Sequence, residues 1–168
     1  YDEKKGQWYF EKALQIYPND ILTLQFLGEI YYRQAQYARA KKNFLNILKT
    51  KPGHYRANMY LGSIAEKEED KKKAKRYYEK AMSIDASQVE PYILLSMVLL
   101  QEPFNNYDLA LYYAQKAADL KPKVGEYHYK IAQVFYLTGK ISKAQKHYYQ
   151  AVQLDPNLKN EEFEKSLP

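Results

Sequence analysis

A chain of 168 residues, 46% hydrophobic and 27% charged, is long enough to bury a core and too apolar to stay disordered. It has no cysteine, which excludes disulfide frameworks, thiolate metal sites and cysteine nucleophiles. A formal net charge of +6 admits an anionic partner. No apolar run approaches the ~20 residues that span a bilayer; the longest, 92–100, is bounded by Pro91 and Pro103.

The chain starts at Tyr1 with neither an initiator methionine nor a signal-peptide pattern, so it reads as a piece of something longer, with no signal assigning a compartment. From there the sequence repeats itself. Pro18 and Pro52, Gly28 and Gly62, and Ala40 and Ala74 are each 34 apart, as are Ala110 and Ala144, Ala117 and Ala151, and Pro122 and Pro156. Pro52 to Pro122 spans 70, so one unit carries two extra residues, located in QEPFNNYD (101–108). The phase defines a single array: a half unit (1–20), units 21–54, 55–88, 89–124 and 125–158, and a terminal stub (159–168).

Taken in order, the stub of helix near 2–16 is followed by first helices near 20–33, 54–67, 88–101 and 124–137. Each is paired with a second helix near 37–50, 71–84, 107–120 or 141–154, and a last short helix is expected near 158–166. Leu24, Leu27 and Tyr31 mark the stripe of a first helix; Ala40, Phe44, Ile47 and Leu48 mark that of a second. Proline at the joints ends the second helices, and Asn19-Asp20 and Asp155-Pro156-Asn157 supply caps and turns. Nothing alternates long enough to argue for a strand. Tyrosine doublets at 31–32, 77–78, 112–113 and 148–149 lie within the repeat helices, which predicts one packed and one rim-facing ring in each.

This pattern resembles the tetratricopeptide repeat family. Unit 21–54 matches its signature with Leu24, Leu27-Gly28, Tyr31, Ala40, Phe44 and Pro52; unit 55–88 with Leu61-Gly62, Ala74, Tyr78 and Ala81, but with Ala86 where proline is usual. Unit 89–124 offers Tyr92, Leu95, Ala110, Ala117 and Pro122, with Ser96 in place of glycine. Unit 125–158 offers Ile131-Ala132, Phe135, Ala144, Tyr148, Ala151 and Pro156. The resemblance implies an all-α fold, a right-handed α-solenoid of antiparallel helix pairs, whose first helices line an inner groove that holds another polypeptide.

It further implies that positions two, five, six, nine and twelve of each first helix face that groove. The partner-binding residues expected on this basis are Phe26, Glu29, Tyr32, Arg56, Met59, Tyr60, Ile93, Leu94, Met97, Tyr129, Lys130, Gln133 and Tyr136. Their aromatic and methionine content suits an adaptable binding strip. Two known variants of the family do not fit. The carboxylate clamp of chaperone co-factors would need basic and asparagine residues where Gln25, Glu29, Tyr60, Glu90 and Leu94 stand; a start one unit later gives Met59, Ser63, Leu94, Glu126 and Lys130. An asparagine ladder would need asparagine at Phe26, Tyr60, Leu94 and Lys130.

The expected function is therefore a non-catalytic adaptor or assembly scaffold with a protein or peptide partner, no cofactor and no metal. Two rivals are weighed against it. Exposed repeat ends could stack into a homo-oligomer. Lys41-Lys42, KKKAKR (71–76) and Lys140, Lys143 and Lys146 could meet nucleic acid or an anionic membrane, but EKEED (66–70) interrupts any basic stripe. His54, His128 and His147 fall at three different repeat positions with no recurring carboxylate or serine partner, which argues against catalysis. The loop at 102–107 places Phe104 at a turn, either as a partner contact or as a plug on the next helix.

Overall fold

A computed structural model describes residues 3–120 and 122–167, with side chains from residue 5 onward. Residues 1, 2, 121 and 168, which the predicted half unit, third unit and terminal stub include, lie outside the described residues. Ten helices are present among the described residues: α1 (Glu3–Ile16), α2 (Ile21–Arg33), α3 (Tyr37–Thr50), α4 (Tyr55–Lys67), α5 (Lys71–Ile84), α6 (Glu90–Leu99), α7 (Tyr107–Asp119), α8 (Gly125–Leu137), α9 (Ile141–Leu154) and α10 (Glu161–Lys165). A 3-10 turn at Pro156–Leu158 precedes α10. The repeat phase placed the ends of α1 to α9 within two residues. The helix expected at 158–166 is shorter because its first residues close the 3-10 turn instead.

The chain divides into two compact units, Tyr1–Asp85 and Ala86–Pro168. In the first, consecutive helices α1 to α5 pack pairwise, and the first helices α2 and α4 also touch each other. In the second, α6 to α9 do the same, with α6 touching α8 and the 3-10 turn resting on α8 and α9. Neighbour-on-neighbour packing of this kind is the α-solenoid architecture, in which no helix pair buries its stripe alone.

Local chemistry starts and stops these helices. The Asp20 carboxylate accepts from Thr23 N (2.8 Å), Asp70 from Lys73 N (3.0 Å) and Asn106 Oδ1 from Leu109 N (3.0 Å). Each satisfies one of the free amides of a first turn. His54 does the same work at α4, its Nδ1 accepting from Ala57 N (3.2 Å). α6 stops at Leu99 because the turn through 100–106 holds the two inserted residues and hands over to the Asn106 cap.

Between the paired helices the rule is small against large. Gly28 lies so close to Phe44 that an added Cβ would sit 2.8 Å from its Cζ, and at Gly62 a Cβ would sit 2.4 Å from Tyr78 Cε1. Phe44 and Tyr78 are wholly buried. At the same register the third pair has Ser96 and Ala114, and the fourth Ala132 and Tyr148, all buried. At Ser96 the larger side chain faces an alanine, whereas Ala132 keeps an aromatic opposite it in Tyr148. Three of the tyrosine doublets divide as expected, with Tyr31, Tyr78 and Tyr148 buried, Tyr32 and Tyr77 half-buried and Tyr149 exposed; in the fourth, Tyr113 is only half-buried and Tyr112 exposed. Phe104 is half-buried.

Candidate functional site

In the first unit the inner face is built by α2 and α4. Phe26 is 45% exposed and stacks on Phe10 at 5.7 Å between ring centroids, while Leu22 beside it is also exposed. Glu29 is buried, its Oε1 accepting from Gln25 Nε2 (3.0 Å) and from Arg56 Nη1 (3.1 Å). Arg56 keeps the rest of its guanidinium in solvent. Tyr32 meets Tyr60 edge-on at 5.1 Å, and Tyr60 stacks nearly parallel on buried Phe44 at 4.8 Å.

Met59 is buried. Ser63 and Glu66, on the same face of α4, are spent on the Tyr78 hydroxyl, which donates to Glu66 and lies 3.2 Å from Ser63 Oγ. Burial, with the Glu66 charge added, pushes that phenol far above its ordinary value. The surface left to a partner here is Leu22, Phe26 and the outer part of Arg56.

The second unit keeps an open cleft. It measures about 420 Å³ and is lined by Met97, Leu100 and Gln101 from the end of α6, Gln133, Val134, Tyr136 and Leu137 from α8, and Phe163 from α10. Three of the expected residues, Met97, Gln133 and Tyr136, meet in it. Phe163 sits among Tyr129 (5.6 Å), Tyr136 (5.4 Å) and Tyr148 (5.4 Å), so α10 supplies one wall. The Gln133 amide has no hydrogen-bond partner among the described residues, whereas Gln101 donates to Met97 O (3.2 Å). An apolar hollow with a free amide at its rim can take an aliphatic or aromatic side chain and hydrogen-bond the backbone that carries it.

The remaining expected residues lie outside the cleft. Ile93, only 1% exposed, is a core residue packed with Ala114, Ile131 and Ala132, so it leaves the candidate lining. Glu29 and Met59 are likewise buried and present no surface. Position five of the first helix is thus a packing position, buried at Gln25, Met59 and Ile93. Leu94 is half-buried, and Lys130 pairs with Glu126 (2.8 Å). Leu100 holds the groove-facing twelfth position of its unit, whereas sequence reasoning did not assign Gln101, Val134, Leu137 and Phe163 to the site. Phe163 had a signal: it follows Tyr129 by 34 residues, so α10 is the start of one more first helix.

The histidines are spent on structure. His128 Nε2 donates to Pro122 O (2.7 Å), which leaves its Nδ1 to accept from His147 Nδ1 at 2.9 Å. Burial pushes His147 down to about 4, helped by His128, Lys146 and Lys143, and burial also lowers His128. Asn58 occupies the position equivalent to His128 and does the equivalent work, donating to Pro52 O (3.2 Å) and His54 O (2.9 Å). Among the described residues no group of three His, Cys, Asp or Glu side chains could hold a metal ion. No described helix is long and apolar enough to cross a membrane.

Helix pairs on a 34-residue period, each resting on its neighbour within its unit, define a helical repeat protein. Models of the tetratricopeptide repeat match residues 27–88 and 125–158, more than half of the chain, and the chain belongs to that family. Comparison with curated proteins by sequence gives no match. Among solved structures the chain is similar to MamA of Desulfovibrio magneticus RS-1 (TM-score 0.75, 21% identity, 94% of this chain and 88% of that one). It is also similar to YrrB, described as a tetratricopeptide protein with an unusual peptide-binding site (TM-score 0.69, 20% identity, 92% and 79%). A chain of the Cut9–Hcn1 hetero-tetramer of the APC/C is similar over 91% of this chain and 29% of its own length (TM-score 0.79, 19% identity). At these identities the likeness is one of fold.

Proposed function

We propose that the chain is a non-catalytic adaptor or assembly scaffold that holds a segment of a partner polypeptide against its first helices, with the main anchor in the cleft of the second unit. The observation that carries this reading is the cleft itself: Met97, Leu100, Tyr136, Leu137 and Phe163 surround a hollow of about 420 Å³ that the chain's own side chains leave open. Apolar pockets with few polar groups are the usual form of an anchor site in helix or peptide recognition. Membership of a family of interaction modules, and fold neighbours described with a peptide-binding site or within a hetero-tetramer, support it. Leu94, Tyr129 and Lys130 of the second unit would flank the bound segment, and the first unit offers Leu22, Phe26 and Arg56 as a surface of its own.

Selection from a random peptide library tests the proposal. Selected peptides should share an apolar anchor residue, bind the native chain, and lose about tenfold or more in affinity to Met97→Lys, since truncating or charging an anchor costs upwards of ~1.4 kcal/mol. Peptides that bind native and Met97→Lys chains equally would overturn the reading.

One observation favours a second reading, self-association. Trp8, Tyr9, Ile16, Tyr17 and Leu22 are all more than half exposed at the first-helix end of unit one. An apolar end of this kind supports stacking against a second copy.

A further inference from the structure

Two clefts of the first unit lie away from the inner face and occupy the same place in successive repeats. One, about 330 Å³, lies between α1, α2 and α3 and is lined on its α3 side by Arg39, Lys42, Asn43 and Asn46. The other, about 350 Å³, is lined by Asn58 of α4 and by Lys73, Arg76, Tyr77 and Lys80 of α5. Each of the four α5 residues follows its α3 counterpart by 34 positions, so the repeat has written a basic cleft twice.

The cations are available. The side-chain cations of Lys42, Arg76 and Lys80 make no hydrogen bond or ion pair among the described residues, and all three residues are exposed. Arg39 gives one of its five donors to Gln36 Oε1 (3.1 Å) and lies over the Tyr31 ring. Lys73 alone is held by an ion pair, to Asp70 (2.6 Å). Glu11, whose carboxylate feels the Arg39 charge, accepts from the Tyr31 hydroxyl (2.6 Å) and from Gln7 (2.8 Å).

A second observation points to a ligand. Asn43 is 8% exposed, and its Nδ2 is buried without any hydrogen-bond partner. Its counterparts in the other repeats are Tyr77, Tyr113 and His147, of which His147 bonds His128 and Tyr113 packs on the Tyr92 ring across the pair. Here the opposite position is Leu24, which offers no acceptor. A buried amide left unpaired is destabilising, and an acceptor brought from outside would satisfy it.

We propose that these two clefts form a docking strip for an acidic peptide segment, with a Glu or Asp carboxylate in each, and that the Asn43 amide donates to the one in the first cleft. A guanidinium, an ammonium and an amide converging on one hollow suit a carboxylate. Leu14, Pro18, Leu24 and Leu27 line the same hollow, which suits an aliphatic side chain next to the acid and does not suit a sugar-phosphate backbone. Glu68, Glu69 and Asp70 at the turn before α5 interrupt the basic surface that a polynucleotide would track.

The test is fluorescence anisotropy on the full chain, using a labelled Glu/Leu peptide, the same peptide with Gln for Glu, and a single-stranded oligonucleotide of matched charge. The Glu/Leu peptide should bind in a salt-dependent manner and the Gln peptide should not. Lys42→Glu with Arg76→Glu, both exposed, should weaken binding by about tenfold or more. Asn43→Leu should weaken it several-fold while raising Tm, because it removes the unpaired amide. Equal binding of the Gln peptide, an unchanged Kd in the charge-reversed chain, or oligonucleotide binding as tight as that of the acidic peptide would each overturn the proposal. None of these variants touches the second-unit cleft, so the peptide-anchor reading stands or falls separately.

Discussion

Replacing Gly62 by alanine puts the packing rule of the repeats under direct strain. Alanine is worth about 1 kcal/mol more than glycine in a helix interior, so on propensity alone the change stabilises α4. The new Cβ, however, would lie 2.4 Å from Tyr78 Cε1, 2.7 Å from Cδ1 and 2.9 Å from Cζ. The ring has no route of escape: it is fully buried, and its hydroxyl is tied to Glu66 and Ser63. Overpacking of this kind costs roughly 1–3 kcal/mol, and a contact a full ångström too close belongs at or above the top of that range.

We expect a net loss of about 2 kcal/mol, or roughly 4–8 °C in Tm for a chain of this length, read by circular dichroism on heating and in urea. Gly53→Ala is the control, since a Cβ there meets nothing within 4 Å; it should shift stability by no more than about 0.5 kcal/mol. In the Tyr78→Leu background the penalty of Gly62→Ala should largely vanish, giving a coupling of about 2 kcal/mol. A Gly62→Ala chain as stable as the native one, or strict additivity with Tyr78→Leu, would refute the small-against-large account.

Three further outcomes are expected. His147 is held near 4 in the fold against 6.5 when unfolded, so the unfolded chain binds the proton first on acidification. The His147 contribution should be fully present above about pH 6.5, fall as the pH drops and be spent below about 4, where the lowered Glu11, Asp20 and Asp70 carboxylates go on to lose theirs; His147→Phe should flatten the upper part of a Tm-against-pH profile. Phe163→Ala should cost about 1–3 kcal/mol by emptying the space among Tyr129, Tyr136 and Tyr148, and amide exchange should quicken in α10 before it does in α8. If the exposed end of α1 pairs with a second copy, sedimentation will show a concentration-dependent dimer that Trp8→Lys abolishes; a monomer at all concentrations removes that second reading.

The helices were legible in the sequence because packing repeats: alanine, glycine, aromatic and proline positions recur for steric reasons that hold in every pair. Even the joint between the two compact units had a trace. It falls at Asp85–Ala86, the one repeat joint where alanine replaces proline. The site was legible only in part, because a first helix shares its inner face between neighbours and solvent. Phe26 and Met97 keep surface there, whereas Ile93 and Met59 turn into packing, and nothing in their apolar character distinguishes the two fates. Glu29 looked like a ligand contact and is an internal ion-pair partner of Arg56. Phe163 escaped because it belongs to a helix of only five residues, too short for its periodicity to register. Unpaired Asn43 could not be seen at all, since it takes coordinates to show that Leu24 leaves it without an acceptor.

The most direct measurement of the central claim is site-specific photo-crosslinking to a library-selected peptide, with the photoreactive residue placed in turn at Met97, at Gln133 and at exposed Tyr149 on α9. The account predicts crosslinks from Met97 and Gln133 that excess unlabelled peptide removes, and none from Tyr149. Crosslinking from Tyr149 with none from the two cleft positions would contradict it.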